Sequence, residues 1–336
     1  MLTPPALAPD LIIARLLDDY GLRIRQVTFL PIGADITAAV YRVEPESGGA
    51  YLLKLRRGDF HEVAAVAPAF LRAHGVRRVM APLPATDGRL WVSGQGFNWM
   101  LYPFVEGKDG YEATLSDAQW VALGKTLRAI HDAALPSDLI QRLPREEYAP
   151  RLRDTVTQFA REAERRSYGD PIAAKLAAFW RAERSEIRLI VERAGALAQE
   201  LRKSAPRFVV CHGDLHPGNL LLGADDALSI VDWDTVILAP KEHDLMFVGS
   251  NLSGVWDDAR ETALFYQGYG ATALDPIALS YYRYERIVAD LVAYGEQIFG
   301  AQGSVEDREV GLRQMTAQFL PGNDVAIAHR GYQGLP

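Results

Sequence analysis

The sequence predicts an α+β protein of two lobes, with a small sheet-rich front and a larger helical rear. Three observations carry this reading. Short β-branched and aromatic runs, punctuated by turn residues, fill the first hundred positions. After Gly107, apolar residues recur at helical spacing through Ala-, Arg- and Glu-rich stretches. The third is size: 336 residues, 49% apolar and 24% charged, suit one or two globular cores and argue against intrinsic disorder.

The front begins with strands at Ile24–Leu30 (IRQVTFL), 39–43 (AVYRV) and 51–55 (YLLKL), separated by Pro31-Ile32-Gly33 and Ser47-Gly48-Gly49. Asp59-x-x-Glu62 is a capping-box pattern ahead of an Ala/Val/Leu-rich run, and predicts a helix over 59–73. Further strands are expected at 79–83, at 90–93 and within 97–105, so the front is a small sheet carrying one helix. The lobe boundary falls near Glu106 to Gly110, dividing the chain into 1–106 and 107–336. Ser116-x-x-Gln119 then caps a helix bearing Trp120, Leu123, Leu127 and Ile130, where His131 reads as a core histidine. Gly169-Asp170-Pro171 breaks 145–203 into at least two amphipathic helices, whose alternating charges mark a solvated face. A second β region covers 208–211 and the hairpin leading to Asp232 and Asp234. The helix expected at 280–299 buries Tyr284, Ile287, Val288, Leu291 and Ile298 on one face.

Charge and composition exclude several classes of function. Lys and Arg number 36 against 43 Asp and Glu, a net charge of −7, which argues against nucleic acid as the main partner. The lone cysteine, Cys211, excludes a disulfide framework and a cysteine-built zinc site, and reads as an inert buried thiol. The start, MLTPPALAPD, lacks the features of a signal peptide, and no run of 18 apolar residues could span a membrane. The expectation is a soluble, cytoplasmic protein with neither nucleic acid nor membrane as partner; protein partners are not predicted.

The chemistry concentrates in CHGDLHPGNLLLGADDALSIVDWD, from Cys211 to Asp234. A short strand ends in a loop bearing His212, Asp214, His216 and Asn219, and a hairpin then delivers Asp232 and Asp234. One carboxylate, Asp214, stands apart from the amide–carboxylate pair Asn219 and Asp232. That division suits phosphoryl transfer, in which one carboxylate orients the hydroxyl proton while hard oxygen donors hold Mg²⁺ against nucleotide phosphates. A metal hydrolase is the chemical alternative, since His212, Asp214 and His216 alternate like ligands. Against it, a hard Asn/Asp pair suits Mg²⁺ better than zinc, and His212 reads as a hydrogen-bonded loop anchor.

HGDLHPGN resembles the catalytic loop of the aminoglycoside phosphotransferase-like kinases, and IVDWD resembles their metal-binding segment. The resemblance covers nearly the whole chain and implies a two-lobed, protein-kinase-like fold using ATP (or GTP) and Mg²⁺. It implies Asp214 as the catalytic base, Asn219 and Asp232 as metal ligands, and Lys54 as the phosphate-binding lysine. Glu62 is either the ion-pair partner of Lys54 or a capping carboxylate for its own helix. The phosphate-covering turn corresponds to Leu30 through Thr37, with Thr37 a candidate phosphate contact and Asp35 an awkward neighbour for one. Met100 through Val105 resembles the interlobe hinge, placing Tyr102 and Phe104 at the nucleotide.

Ala34-Asp35, the segment from Ala239 to Phe247 and the segment from Tyr281 to Leu291 resemble the spectinomycin phosphotransferase branch. This implies O-phosphorylation of a cationic small molecule, an aminocyclitol such as spectinomycin. Asp244 is expected to hold the loop that carries Asp232. Carboxylates for the ammonium groups and an aromatic wall for the rings are offered by Glu285 or Asp290, with Trp256 and Tyr266. Two alternatives stand beside this reading. One is a metabolic kinase on the same scaffold, acting on homoserine, choline or a thiosugar. The other is a nucleotide-binding protein without transfer activity, disfavoured by the joint presence of Lys54, Asp214, Asn219 and Asp232.

Overall fold

The computed structural model describes residues 3–33, 35–58 and 60–335. It divides into two compact units, one of Met1–Thr114, Leu135–Arg142 and Gly218–Val236, the other of Leu115–Ala134, Leu143–Pro217 and Ile237–Pro336. In chain order the elements begin α1 (Pro9–Tyr20), β1 (Ile24–Leu30), β2 (Ala38–Pro45), β3 (Tyr51–Arg56) and α2 (Val63–Ala73). There follow β4 (Val92–Gly94), β5 (Phe97–Pro103), β6 (Lys108–Asp109), α3 (Asp117–His131), α4 (Ser137–Arg142) and α5 (Arg151–Arg165). Next come α6 (Pro171–Ala182), α7 (Arg184–Ser204), β7 (Val209–Cys211), β8 (Leu220–Leu222), β9 (Leu228–Ile230) and β10 (Ile237–Ala239). Five helices close the chain: α8 (Glu242–Leu245), α9 (Ala259–Tyr269), α10 (Pro276–Phe299), α11 (Val305–Ala317) and α12 (Asp324–Gln333).

The first unit is built on an antiparallel sheet of order β1-β2-β3-β5-β4. In its central strand, Leu53 and Leu55 are fully buried while Lys54 and Arg56 point to the other face, as the two-residue period requires. Burying each leucine contributes about 1.5–3 kcal/mol, so a one-residue slip would lose that and bury the lysine instead. The register is Val40↔Lys54↔Met100, which fixes Lys54 in the middle of the sheet.

The front carries more helix than the sequence reading expected. Helix α1 opens with Pro9 at its first turn and ends at Gly21, whose φ of 67° is left-handed, an N-terminal-proline and C-terminal-glycine signature that strand runs nearby overshadowed. Its Ile12 and Leu16 join Leu53, Leu55 and Trp99 in one core. Helix α4 belongs to this unit as well. Helix α2 starts at Val63 rather than at 59; Asp59 of the expected capping box lies outside the described residues, and Glu62 caps nothing with its side chain. Instead of a strand at 79–83 there are single bridges, Val79↔Ile230 and Leu83↔Leu101. A three-stranded sheet, β6-β8-β9, completes the unit.

In the second unit the capping box of α3 forms as its sequence predicts. Ser116 Oγ accepts the Gln119 N–H at 3.2 Å, and Gln119 Oε1 accepts the Ser116 N–H at 2.9 Å. Helix α3 packs on α9 almost backbone to backbone: a Cβ at Gly124 would lie 2.1 Å from the Phe265 carbonyl, and one at Gly268 2.0 Å from the Val121 carbonyl. Only glycine fits at either position. Residues 145–203 form most of α5, α6 and α7, with Asp170 accepting the Ile172 and Ala173 N–H groups, each at 2.9 Å, at the predicted break. Helix α10 packs against α5, α6, α7, α11 and α12, and β7 pairs with β10. No helix among the described residues is long and apolar enough to cross a membrane.

Candidate functional site

Within the first unit, Lys54 Nζ donates to Asp232 Oδ1 at 2.9 Å and to Asp234 Oδ2 at 2.8 Å. Burial alone would lower the lysine, but the two carboxylates reverse this and hold it well above its usual range, fully cationic. Asp232 sits at φ 60°, a left-handed conformation that Asp tolerates better than most residues, immediately after the β8–β9 hairpin. The hairpin is tied down by its neighbours: Ile230 N–H donates to the Arg78 carbonyl at 2.7 Å, and Met80 N–H to the Ile230 carbonyl at 2.9 Å. Asn219, buried, closes the 3₁₀ turn Pro217–Asn219, and its carbonyl accepts the Val231 N–H at 2.9 Å. That bond sets Asn219 beside the segment that carries Asp232. An amide and a carboxylate so placed are hard oxygen donors, and they fit a divalent cation such as Mg²⁺.

The remaining nucleotide-side candidates are placed less uniformly. Tyr102 lies on β5, its hydroxyl on Met100 Sδ at 3.4 Å, with burial pushing its phenol up. Phe104 stacks under the Arg42 guanidinium at 4.4 Å. Thr37 donates both its N–H and its hydroxyl to Asp35 Oδ1, each at 2.7 Å. Glu62 pairs with neither Lys54 nor its own helix start: its carboxylate meets Arg142 of α4 at 2.5 Å. The lysine has no need of it, because Asp232 and Asp234 already neutralise the ammonium. Sequence reading also missed Arg56, which pairs with Asp234 and lies 3.3 Å from Asp35 Oδ2. Its one sequence signal is its place two residues after Lys54 on the same strand.

In the second unit, the loop after β7 is anchored by its backbone. Asp244 accepts the N–H of His212 at 2.8 Å and of Gly213 at 2.9 Å, and also meets His131 Nε2 at 3.1 Å. Burial would raise the Asp244 carboxyl, but the hydrogen bond from His131 and the neighbouring histidines hold it below its usual range. The loop that Asp244 holds is therefore the one carrying Asp214, not the one carrying Asp232 as expected. His131 is a core histidine as its spacing implied, with its other ring nitrogen 2.8 Å from the Tyr269 hydroxyl. His212 is fully buried and accepts the Asp214 N–H at 3.3 Å on Nδ1, which ties the loop to itself.

Asp214 itself forms an ion pair with Arg286 of α10, and His216 Nε2 lies 3.5 Å from its other oxygen. Burial would raise Asp214, but Arg286 and His216 override it and hold the carboxylate well below its usual range. Arg286 also bonds Asp290 at 3.2 Å, and its guanidinium stands 5.9 Å from the centre of the Phe247 ring. Arg286 escaped notice because the pairing joins residues far apart in sequence.

The carboxylates expected to meet an acceptor carry arginine partners. Glu285 bonds Arg153 at 2.6 Å, with burial pushing it up to about 7 against the pull of that arginine. Asp290 accepts from Arg286 and, at 2.9 Å, from Gln318. Trp256 is buried edge-on against Trp120, and Tyr266 is half-buried against Phe265 and Tyr269. The hydrolase alternative finds no support in the loop histidines. Among the described residues the group able to converge on a metal is His131, Cys211 and Asp244, whose ligand atoms lie within 4.8 Å of one another. Those atoms are committed elsewhere: the histidine as above, the thiol to the Ala239 and Pro240 carbonyls, with burial pushing the thiol up.

Comparison with known proteins places this geometry. Residues 28–279 match the phosphotransferase enzyme family. The chain is 28% identical to an uncharacterised protein of Deinococcus radiodurans over 302 residues, covering 84% of this chain and 76% of that one. Among solved structures it is similar to spectinomycin phosphotransferase APH(9)-Ia in complex with ADP and spectinomycin, with a TM-score of 0.90, 32% identity, and coverage of 98% of this chain and 100% of that one. An amicoumacin kinase shares the fold, with a TM-score of 0.60 at 16% identity over 93% of this chain and 94% of that one. With a lysine fixed between two carboxylates in one unit and an ionised aspartate on a backbone-anchored loop in the other, the chain belongs to the aminoglycoside phosphotransferase-like kinases, on the side of their spectinomycin branch.

Proposed function

We propose that this protein uses MgATP to phosphorylate a hydroxyl of a cationic aminocyclitol, spectinomycin being the best candidate, in the cytoplasm. The observation that supports it most is the ionised Asp214, set on a loop whose backbone is bonded to Asp244. A carboxylate kept charged and fixed in direction can accept and orient a hydroxyl for attack on a phosphorus atom. Lys54 supplies a point charge for nucleotide phosphates, and Tyr102 and Phe104 lie on the segment assigned to the base. Asn219 and Asp232 would hold Mg²⁺, which when bound neutralises charge building on the transferred group. GTP is the other candidate donor. The similarity to a spectinomycin phosphotransferase supports the acceptor class.

A second reading has an observation of its own. Glu285 is already matched by Arg153, and Asp290 shares Arg286 with Asp214, so neither acidic side chain stands uncommitted for an ammonium group. That favours a metabolic kinase with an acceptor bearing a carboxylate, homoserine for example. In the first reading, acceptor ammonium groups compete with Arg286 for Asp290, and Tyr266 offers an aromatic face while Trp256 supports it from the core.

Measuring ADP release with MgATP against spectinomycin, aminoglycosides, homoserine, choline and a thiosugar separates these readings. Spectinomycin-dependent release is expected, falling about 10²–10⁴-fold in Asp214→Ala with ATP affinity retained. Release with homoserine alone would replace the acceptor. Unchanged turnover in Asp214→Ala would remove the base, and ATP binding with no acceptor at all would support a non-catalytic nucleotide binder.

A further inference from the structure

Resting on the phosphotransfer reading, we propose that Arg56 is a second phosphate-binding cation and that Asp35 is a built-in competitor for it, an internal anion that nucleotide phosphates displace. Arg56 and Lys54 are alternate residues of β3 and so project from one face, about 7 Å apart along the strand. A guanidinium two residues from the phosphate lysine presents a planar fork of donors suited to phosphate oxygens. Arg56 pairs with Asp234, the same carboxylate that receives Lys54, so the two cations already share one counter-ion. Arg56 thus belongs to the charged cluster of the site.

Asp35 completes the argument. Its Oδ1 accepts two donors, the N–H and the hydroxyl of Thr37, and its Oδ2 lies 3.3 Å from the Arg56 guanidinium. A backbone N–H, a hydroxyl and a guanidinium converging on one pair of oxygens is the arrangement that binds a phosphate group. Here a carboxylate of the chain receives them. The pair is also exchangeable, since Asp35 is 41% exposed and so competes with water for its partners. A triphosphate, carrying more charge and more acceptor oxygens, takes over the same donors. The carboxylate that looked misplaced in a phosphate-covering turn then has a role: it holds the turn and Arg56 in their binding arrangement and weakens the hold on product.

The two residues therefore predict effects of opposite sign on nucleotide affinity, measured by calorimetry on the whole protein with MgATP, MgADP and AMP. Asp35→Asn keeps an oxygen for the Thr37 donors but removes the competing charge, and should tighten MgATP binding about 3–10-fold, more so at low salt. Arg56→Gln should weaken MgATP about 10–100-fold and AMP much less, with Arg56→Lys in between. Thermal melts of all three variants verify folding, and Arg56→Lys serves if Arg56→Gln melts early. Weaker MgATP binding in Asp35→Asn, or wild-type affinity in both Arg56 variants, overturns the proposal while leaving the phosphotransfer reading standing. Failure of the unaltered protein to bind MgATP overturns that reading and this proposal with it.

Discussion

Arg286→Met removes the cation shared by Asp214 and Asp290 while keeping most of the side-chain volume. Two charge-assisted contacts disappear, leaving Asp214 with His216 at 3.5 Å and Asp290 with Gln318 at 2.9 Å. Taking one partner from a buried ion pair costs about 3–5 kcal/mol. The pair here is about a quarter exposed, 24% for Arg286 and 26% for Asp214, which puts the expectation at about the lower end of that range. A loss of about 3 kcal/mol corresponds to a fall in Tm of roughly 6–12 °C for a unit of this size. The sign of the pH dependence follows from Asp214. In the native protein its depressed pKa contributes stability that is present above the unfolded value of about 4 and is lost only as acid carries the pH through the folded value. In Arg286→Met, burial is less opposed and raises the folded pKa above the unfolded one, so the penalty is complete at neutral pH and shrinks on acidification. Thermal denaturation of both proteins between about pH 8 and pH 4.5 is the assay. The Tm gap should be widest at neutral pH and should narrow toward the acid end. A gap that stays constant across that range would show that Arg286 acts through packing on Phe247 and not through charge.

Three further variants test other parts of the structure. Asp232→Ala removes a hard oxygen donor and a partner of Lys54, so the Mg²⁺ concentration needed for half-maximal ATP binding should rise on the order of ten-fold or more; an unchanged Mg²⁺ titration would take Asp232 out of the metal site. Gly124→Ala forces a methyl group to within 2.1 Å of the Phe265 carbonyl and should lower stability by about 1–3 kcal/mol. Gly195→Ala in α7, with nothing within 4 Å of its new methyl, should raise it by up to about 1 kcal/mol, and equal melting shifts for the two would contradict the close helix crossing.

What could be read from sequence divides along a physical line. The strands β1, β2 and β3, the α3 capping box and the break at Gly169-Asp170-Pro171 are written in short-range spacing because backbone geometry demands it, and the loop from His212 to Asn219 is written in the residue order that the family resemblance rests on. Lys54 was singled out through the family resemblance, since a lysine on a strand between apolar residues carries no such signal by itself. Its partner was not. Glu62 lay at a plausible distance along the chain, but Asp232 and Asp234 reach the ammonium through long-range folding that no local pattern records. The acidic residues of α10 show the same limit. Helical periodicity places Glu285 and Asp290 on different flanks, yet it says nothing of Arg153 or of the two roles of Arg286. A charge is easy to see in a sequence, and whether it is already spent is not. Helix α1 is a different case: its terminal proline and glycine were there to be read.

The support of the loop that carries Asp214 has a bearing on how such a protein can diversify. Asp244 grips the loop through the amide hydrogens of His212 and Gly213, which every residue except proline possesses. An attachment of that kind makes no demand on the exposed side chains of the loop, whereas Gly213, at φ 86°, and the buried His212 are held to their types. Residues exposed there can be exchanged while the direction of Asp214 is kept, so on the proposed function the acceptor can change without the loop being rebuilt.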